Sequence, residues 1–247
     1  MTEPAAFESV WTAVADVDGW LTEGQARELY EAAMACPGGG RIVEIGSFRG
    51  RSTIVLAKAA PPDVELIAID PHAGTDRGPQ EIAGYEVEAN DDHAAFVANL
   101  ERTGSADRVT HLRMFSDRAL GEIDGGVDVL YVDGAHRYAP ARADIRDWGA
   151  RVADGGTMLI HDAYSSIGVT LAIVRELLMG RRFRYVGRSR SLAIYRADGA
   201  GPLASNAARQ LAQLPWFGRN VALKILLTLG LGALLEGLGR RRPEWPY

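Results

Sequence analysis

The chain has a single cysteine, Cys36, in 247 residues. No intrachain disulfide can form, and a reducing cytoplasm is the expected setting. An excess of positive charge is also missing: 27 Lys and Arg stand against 32 Asp and Glu, for a net charge of −5. That balance argues against a nucleic-acid partner, whose phosphates need clustered cations. No apolar run reaches the ~20 residues that a membrane span needs. The first residues, MTEPAAFESV, are polar and acidic, without the basic-then-apolar order of a signal peptide. Repeats at solenoid periods and low-complexity segments are absent as well. What is present is a chain of 47% hydrophobic composition, long enough for one large domain with a sizeable core.

GWLTEGQARELYEAAMA reads as a helix, with Thr22 and Gln25 at capping-box spacing and CPGGG as its stop. From there apolar strands alternate with helical stripes. RIVEIG, VELIAID, RVTHLRMF, VDVLYVDG and GGTMLIHD read as strands. RGRSTIVLAKAA, HAAFVANLER, ARADIRDWGARVA and VTLAIVRELLMG read as helices. The pattern implies βαβ units and a mostly parallel, doubly wound α/β sheet covered on both faces. FRYVGR and SLAIYR follow with only Ser189–Ser191 between them, too close for a helical crossover, so one of the two must run antiparallel. The organisation expected is a helical cap over 1–40, a catalytic domain over 41–198 and a helical tail over 199–247.

In such sheets ligands sit beyond the carboxyl ends of the strands. The first strand ends in EIGSFRGRS, which offers Glu44, Gly46, Ser47, Gly50 and Ser52. Glycines let the backbone turn tightly against a ligand, and the following helix presents free N–H groups. The spacing E-x-G-x-x-x-G is not that of dinucleotide binders, and Glu44 would repel a pyrophosphate. It suits a cofactor with a cationic centre and a small carboxylate. Asp70 ends the second strand, placed for a ribose diol, with His72 two residues on. Ser116 and Asp117 end the third, where an adenine edge could be read.

Asp133 ends the fourth strand, and His161 and Asp162 end the fifth. Carboxylates gathered with no Arg or Lys beside them in sequence would repel one another, and a divalent cation removes that problem. Oxygen ligands with at most one imidazole suit Mg²⁺ or Mn²⁺. His136, three residues past Asp133, is placed to take a proton from a hydroxyl as general base. The plainer readings are that Asp133 and Asp162 cap turns and that His136 is a solvated loop residue. The joint pattern favours the site. His93 and His111 read as structural, and Trp11, Trp20 and Trp148 as packing residues.

IVEIGSFRGRST and IAIDPH resemble the first two motifs of class I S-adenosylmethionine-dependent methyltransferases, over about Gly19 to Arg196. The resemblance implies S-adenosylmethionine as cofactor. Gly46 and Ser47 then lie along its methionine, Asp70 on its ribose, and Ser116 and Asp117 near its adenine. Glu44, Gly50, Ser52, His72 and Asp133 complete the expected cofactor set. DGAHRYAPARADIRDWGARVADGGTMLIHD is similar to the metal-dependent macrocin O-methyltransferase-like group. That implies a sugar or other small-molecule hydroxyl as acceptor, His136 as base, and Asp133, His161 and Asp162 around the metal. His161 departs from that group, which has an acid there. A nicotinamide-dependent oxidoreductase and a non-catalytic S-adenosylmethionine-binding module are the competing readings.

Two further segments carry expectations. The polar stretch from Pro71 to about Asp92 has the length of a lid or binding loop. In the tail, Asn220, Lys224, Thr228 and Glu236 form a polar line at helical spacing, followed by Arg240–Arg242. That helix packs on the body or a second subunit, or it lies flat on a membrane surface; packing is preferred, and the tail is taken as accessory to the catalytic core.

Overall fold

A computed structural model describes residues 6–74, 86–199 and 201–228. Two helices come first, α1 (Phe7–Ala13) and α2 (Glu23–Met34). The alternating region follows as β1 (Arg41–Ile45), α3 (Arg51–Ala59), β2 (Glu65–Ile69), α4 (Glu86–Arg102) and β3 (Val109–Leu112). Then come α5 (Ser116–Ala119), β4 (Val127–Val132), α6 (Tyr138–Ala143), β5 (Val152–Ile160) and α7 (Ile167–Glu176). The chain continues through β6 (Arg184–Ser189), β7 (Leu192–Arg196), α8 (Leu203–Leu211) and α9 (Leu214–Thr228).

The seven strands form one sheet in the order β3-β2-β1-β4-β5-β7-β6. Every pairing is parallel except those of β7, which runs antiparallel to both β5 and β6. This is the doubly wound sheet with a late antiparallel hairpin that the sequence predicts. Winding reverses between β1 and β4, so a crevice opens at their carboxyl ends.

Alternation along each strand feeds two cores. Ile42, Val129, Tyr131 and Leu159 pack with α1, α2, α3 and the Phe96–Leu100 part of α4. Val43, Leu130, Val132, Met158 and Ile160 pack on the other face with Ile145, Val169 and Ile173. Fully burying one such side chain contributes roughly 1.5–3 kcal/mol. Both faces are apolar because helices cover both.

The N-terminal cap is tied to the sheet. Gln25 Oε1 accepts hydrogen bonds from the Thr22 N–H and hydroxyl, each at 2.9 Å, as the capping-box spacing predicts. Its Nε2 donates to Ser191 Oγ at 3.1 Å, in the β6–β7 turn. The tail is tied as firmly. Asn206 of α8 accepts from the Tyr185 N–H at 2.8 Å and donates to Phe183 O at 3.0 Å, closing the edge of β6. Trp216 and Phe217 of α9 pack on the second core.

Two helices differ from expectation. α4 starts at Glu86 and not near His93. Ala89, Asp92, Phe96 and Leu100 make its buried stripe, and Asp92 hides in it because Arg49 Nε pairs with it at 2.8 Å. α6 starts at Tyr138 and ends through a π turn over Asp144–Trp148 and a 3-10 turn over Gly149–Arg151. Of the expected lid, 75–85 lie outside the described residues. Among the described residues no helix is long and apolar enough to cross a membrane.

Candidate active site

Register builds the site. Ile45 is level with Ile69 on one side and Val132 on the other, and Val132 is level with Ile160. The next residues along, Gly46, Asp70, Asp133 and His161, therefore stand side by side on one rim. Gly46 has φ +88, and a Cβ there would lie 2.1 Å from Asp133 O, so only glycine lets the two strand ends approach.

Asp70 shapes the turn after β1. Its Oδ2 accepts the Ser47 and Phe48 N–H groups at 2.9 Å, and its Oδ1 accepts the His72 N–H at 2.8 Å. His72 Nε2 donates to Phe48 O at 2.8 Å and braces the same turn. Behind it the His93 and His111 rings stack and His72 meets both edge-on, with centroids 5.1–5.3 Å apart, next to Phe96. Burial first, then His72 and His93, push His111 down to about 4, which keeps it neutral.

Three cofactor expectations need correction. Glu44 does not line the cavity. It is fully buried under α3 and accepts hydrogen bonds from Ser52 Oγ and Thr53 Oγ1. Burial pushes its pKa up to about 8, so at neutral pH it holds a proton and would not repel a pyrophosphate. Ser52 reaches the cavity wall, but its hydroxyl is turned to Glu44. Gly50 faces α4: at φ +89 it starts α3, and a Cβ would meet the Phe96 ring at 3.1 Å.

The chemistry end is an ionic network. His161 Nδ1 lies 3.1 Å from Asp133 Oδ1 and 3.9 Å from Asp162 Oδ2. His136 Nε2 lies 2.8 Å from Asp162 Oδ2, and the Tyr131 hydroxyl donates to Asp133 Oδ2 at 2.7 Å. Burial opposes a charged His161, but Asp133 and Asp162 outweigh it and lift the ring to about 9. Burial would likewise raise Asp162, yet His136, His161 and Lys224 hold it well below the usual carboxylate range.

This network changes the expected metal site. Asp133, His161 and Asp162 do converge, and an imidazole ligating a metal there would have to give up the proton that the two carboxylates favour. The structure also brings in a lysine that the strands' own sequence lacks, Lys224 of α9. Among the described residues, no group of three or more His, Cys, Asp or Glu side chains is arranged to hold a metal ion. The residues as placed do not fit a divalent cation.

One cavity of about 1290 Å³ runs along the rim. Gly46, Ser47, Asp70, His72, Ser116, Asp117, Asp133, His136, His161 and Asp162 all line it, as does Ser52. Ser116 turns its hydroxyl to Asp144 at 2.5 Å, while Trp148 Nε1 donates to Ser116 O at 3.2 Å. Sequence reasoning missed Phe115, Asp144 and Trp148 at this end. It also took Trp20 as a packing residue. Trp20 is 56% exposed, beside Phe48 at the mouth, with ring centroids 5.3 Å apart. The tail, taken as accessory, contributes Val221, Lys224 and Ile225 to the wall.

The sheet order, the antiparallel β7 and the crevice between β1 and β4 are those of the class I methyltransferase fold. Residues 43–163 match a family model described as a methyltransferase domain. Cofactor-bound Rv0187 from MTB is 19% identical, with a TM-score of 0.56 over 77% of this chain and 88% of that one. The O-methyltransferase TomG from Streptomyces achromogenes, involved in tomaymycin synthesis and solved with SAM, is 19% identical. Its TM-score is 0.52 over 79% of this chain and 89% of that one. An O-methyltransferase from Bacillus cereus in complex with SAH is 16% identical, with a TM-score of 0.50 over 77% and 88%. At such identities the likeness is one of fold.

Proposed function

We propose that the protein is an S-adenosylmethionine-dependent O-methyltransferase acting on a hydroxyl of a sugar or glycosylated small molecule. The observation that carries this reading is the His136–Asp162 pair, 2.8 Å apart, on the same rim as the Gly46 turn and Asp70. It marks a base beside a cofactor crevice.

The residues present fit that cofactor. Ser47 Oγ is buried at the cavity wall with no hydrogen-bond partner among the described residues. Asp70 has spent three of its roughly four acceptor positions on backbone, leaving one for a ribose hydroxyl. A cavity of about 1290 Å³ exceeds the ~300–1,000 Å³ of an ordinary ligand pocket, room for cofactor and acceptor together. When bound, the cofactor supplies an electrophilic methyl group on a sulfonium.

The chain supplies the rest. Asp162, 2.8 Å from His136 Nε2, orients the imidazole as the base for the acceptor's hydroxyl proton. Trp20 offers an exposed aromatic face to a sugar ring at the mouth. The macrocin-like grouping and its acceptor class enter as part of this reading. A metal step does not, because the site's donors do not fit one.

Calorimetry with S-adenosylmethionine and NAD(H) tests the cofactor. Labelled methyl transfer to a panel of glycosylated acceptors, with Mg²⁺, with Mn²⁺ and with EDTA, tests the reaction. Saturable S-adenosylmethionine binding and transfer that His136→Ala removes are the expected results. Binding of NAD(H) alone overturns the reading, and cofactor binding without transfer to any acceptor reduces the protein to a binding module.

A further inference from the structure

Helix α9 enters the site from the far end of the chain. Asn220 is fully buried, and its Nδ2 donates to Tyr164 O at 3.0 Å. Tyr164 is two residues beyond Asp162, at φ +56 in the tight turn that leads into α7. Residues four apart share one face of a helix. The Asn220 anchor therefore directs Lys224, one turn on, at the same turn. Trp216 and Phe217 hold the start of α9 on the core, while Val221 and Ile225 flank Lys224 in the cavity wall. Lys224 and Asp162 act on each other electrostatically, and Lys224 also acts on His161.

Asp133 and Asp162 bring two carboxylates to one rim; the His161 ring between them, held in its charged form, offsets one, and Arg137 of the loop after β4 lines the same cavity. Charges gathered in a part-buried site need a counter-charge. One candidate is a divalent ion; the other is a cation of the chain itself.

We propose that Lys224 is that counter-charge: the C-terminal helix inserts a fixed ammonium where a divalent ion would otherwise be needed, and the transfer runs without a metal. This rests on the reading of the protein as a methyltransferase. Lys224 is a positioning residue. It keeps Asp162 available to accept the Nε2 proton of His136, and so holds the base in line with the acceptor. The helix that carries it is a required wall of the acceptor site. Asn220 and Lys224 are then turned to the site, not to solvent or lipid.

The test uses the full chain after EDTA treatment and dialysis, and needs no acceptor. Free Mn²⁺ is followed by electron paramagnetic resonance as protein is titrated, for the native chain, Lys224→Arg, Lys224→Met, and Lys224→Met combined with Asp162→Asn. S-adenosylmethionine affinity is measured on each by calorimetry. The native chain and Lys224→Arg should show only weak, non-saturating Mn²⁺ binding. Lys224→Met should bind Mn²⁺ at least about ten-fold more tightly, the scale of removing a unit charge from a partly buried site. The double variant should lose that gain. A saturable Mn²⁺ site in the native chain that Lys224→Met leaves unchanged overturns the proposal, as does Lys224→Met binding Mn²⁺ no better than the native chain. Lys224→Gln serves if the methionine variant does not fold. Absence of S-adenosylmethionine binding by the native chain would instead count against the methyltransferase reading, so the two failures are separate.

Discussion

Glu44 places a pH-dependent cost on folding that one substitution removes. In the folded chain, burial pushes its pKa from 4.5 up to about 8, against the Ser52 and Thr53 hydrogen bonds that pull it down. In the unfolded chain the same carboxyl ionises near its ordinary value. Below that value both states hold the proton, and the cost is nil. Above it the unfolded chain releases the proton while the folded chain keeps it, so stability falls as pH rises, until both states are ionised above about 8. At pH 7 the gap is roughly 2.5 pH units, or about 3.5 kcal/mol at about 1.4 kcal/mol per unit. Glu44→Gln keeps the volume and an oxygen that can accept from both hydroxyls, but it cannot ionise. Urea denaturation of both proteins between pH 4.5 and 8 reads the difference directly, because every other titrating group is shared. The variant should match the native chain at the acid end and exceed it by about 3.5 kcal/mol at pH 7. Parallel curves would refute the reasoning, and would mean that the two hydroxyls hold Glu44 ionised inside the fold.

Three further outcomes are expected. His136→Ala should keep S-adenosylmethionine affinity and lower turnover by about 10²-fold or more, the scale of a lost general base; unchanged turnover between pH 6 and 9 would make it a loop residue. Asp70→Ala should weaken cofactor binding and also destabilise the chain by about 2–3 kcal/mol, since three backbone N–H groups lose their acceptor. Unaltered affinity in calorimetry rules out the ribose role. His111 is neutral in the fold, with a pKa depressed to about 4, so its contribution is complete above the unfolded value of 6.5 and lost as pH falls through 4. Partial exposure limits that to about 1–2 kcal/mol. His111→Gln should flatten the stability curve in that window, and an unflattened curve assigns the acid loss to other groups.

The rim was legible because a parallel sheet converts sequence position into spatial level. Each apolar run ends on a polar residue, and when neighbouring strands end in register those residues meet: Gly46, Asp70, Asp133 and His161. The burial of Glu44 was legible too, by the same alternation. Val43 and Ile45 share one face of β1, which leaves Glu44 with Ile42 on the face that α3 covers. Reading the E-x-G-x-x-x-G spacing as a set of cofactor contacts overrode that period-two signal. Asp70 was legible as a rim residue, but its bracing of the β1 turn was not. Its partners are backbone N–H groups of a turn, and backbone donors leave no trace in residue type. Lys224 is a third case. The polar line of α9 was visible, but its partner was not, because what a helix face meets depends on where the whole element docks. Asn220 fixes that docking with one buried hydrogen bond to Tyr164, and so turns a lysine of the tail into a neighbour of Asp162. A search for Lys or Arg side chains confined to the strands finds none beside these carboxylates, and a metal becomes the natural answer. Once the tail is folded back, the chain supplies the charge itself.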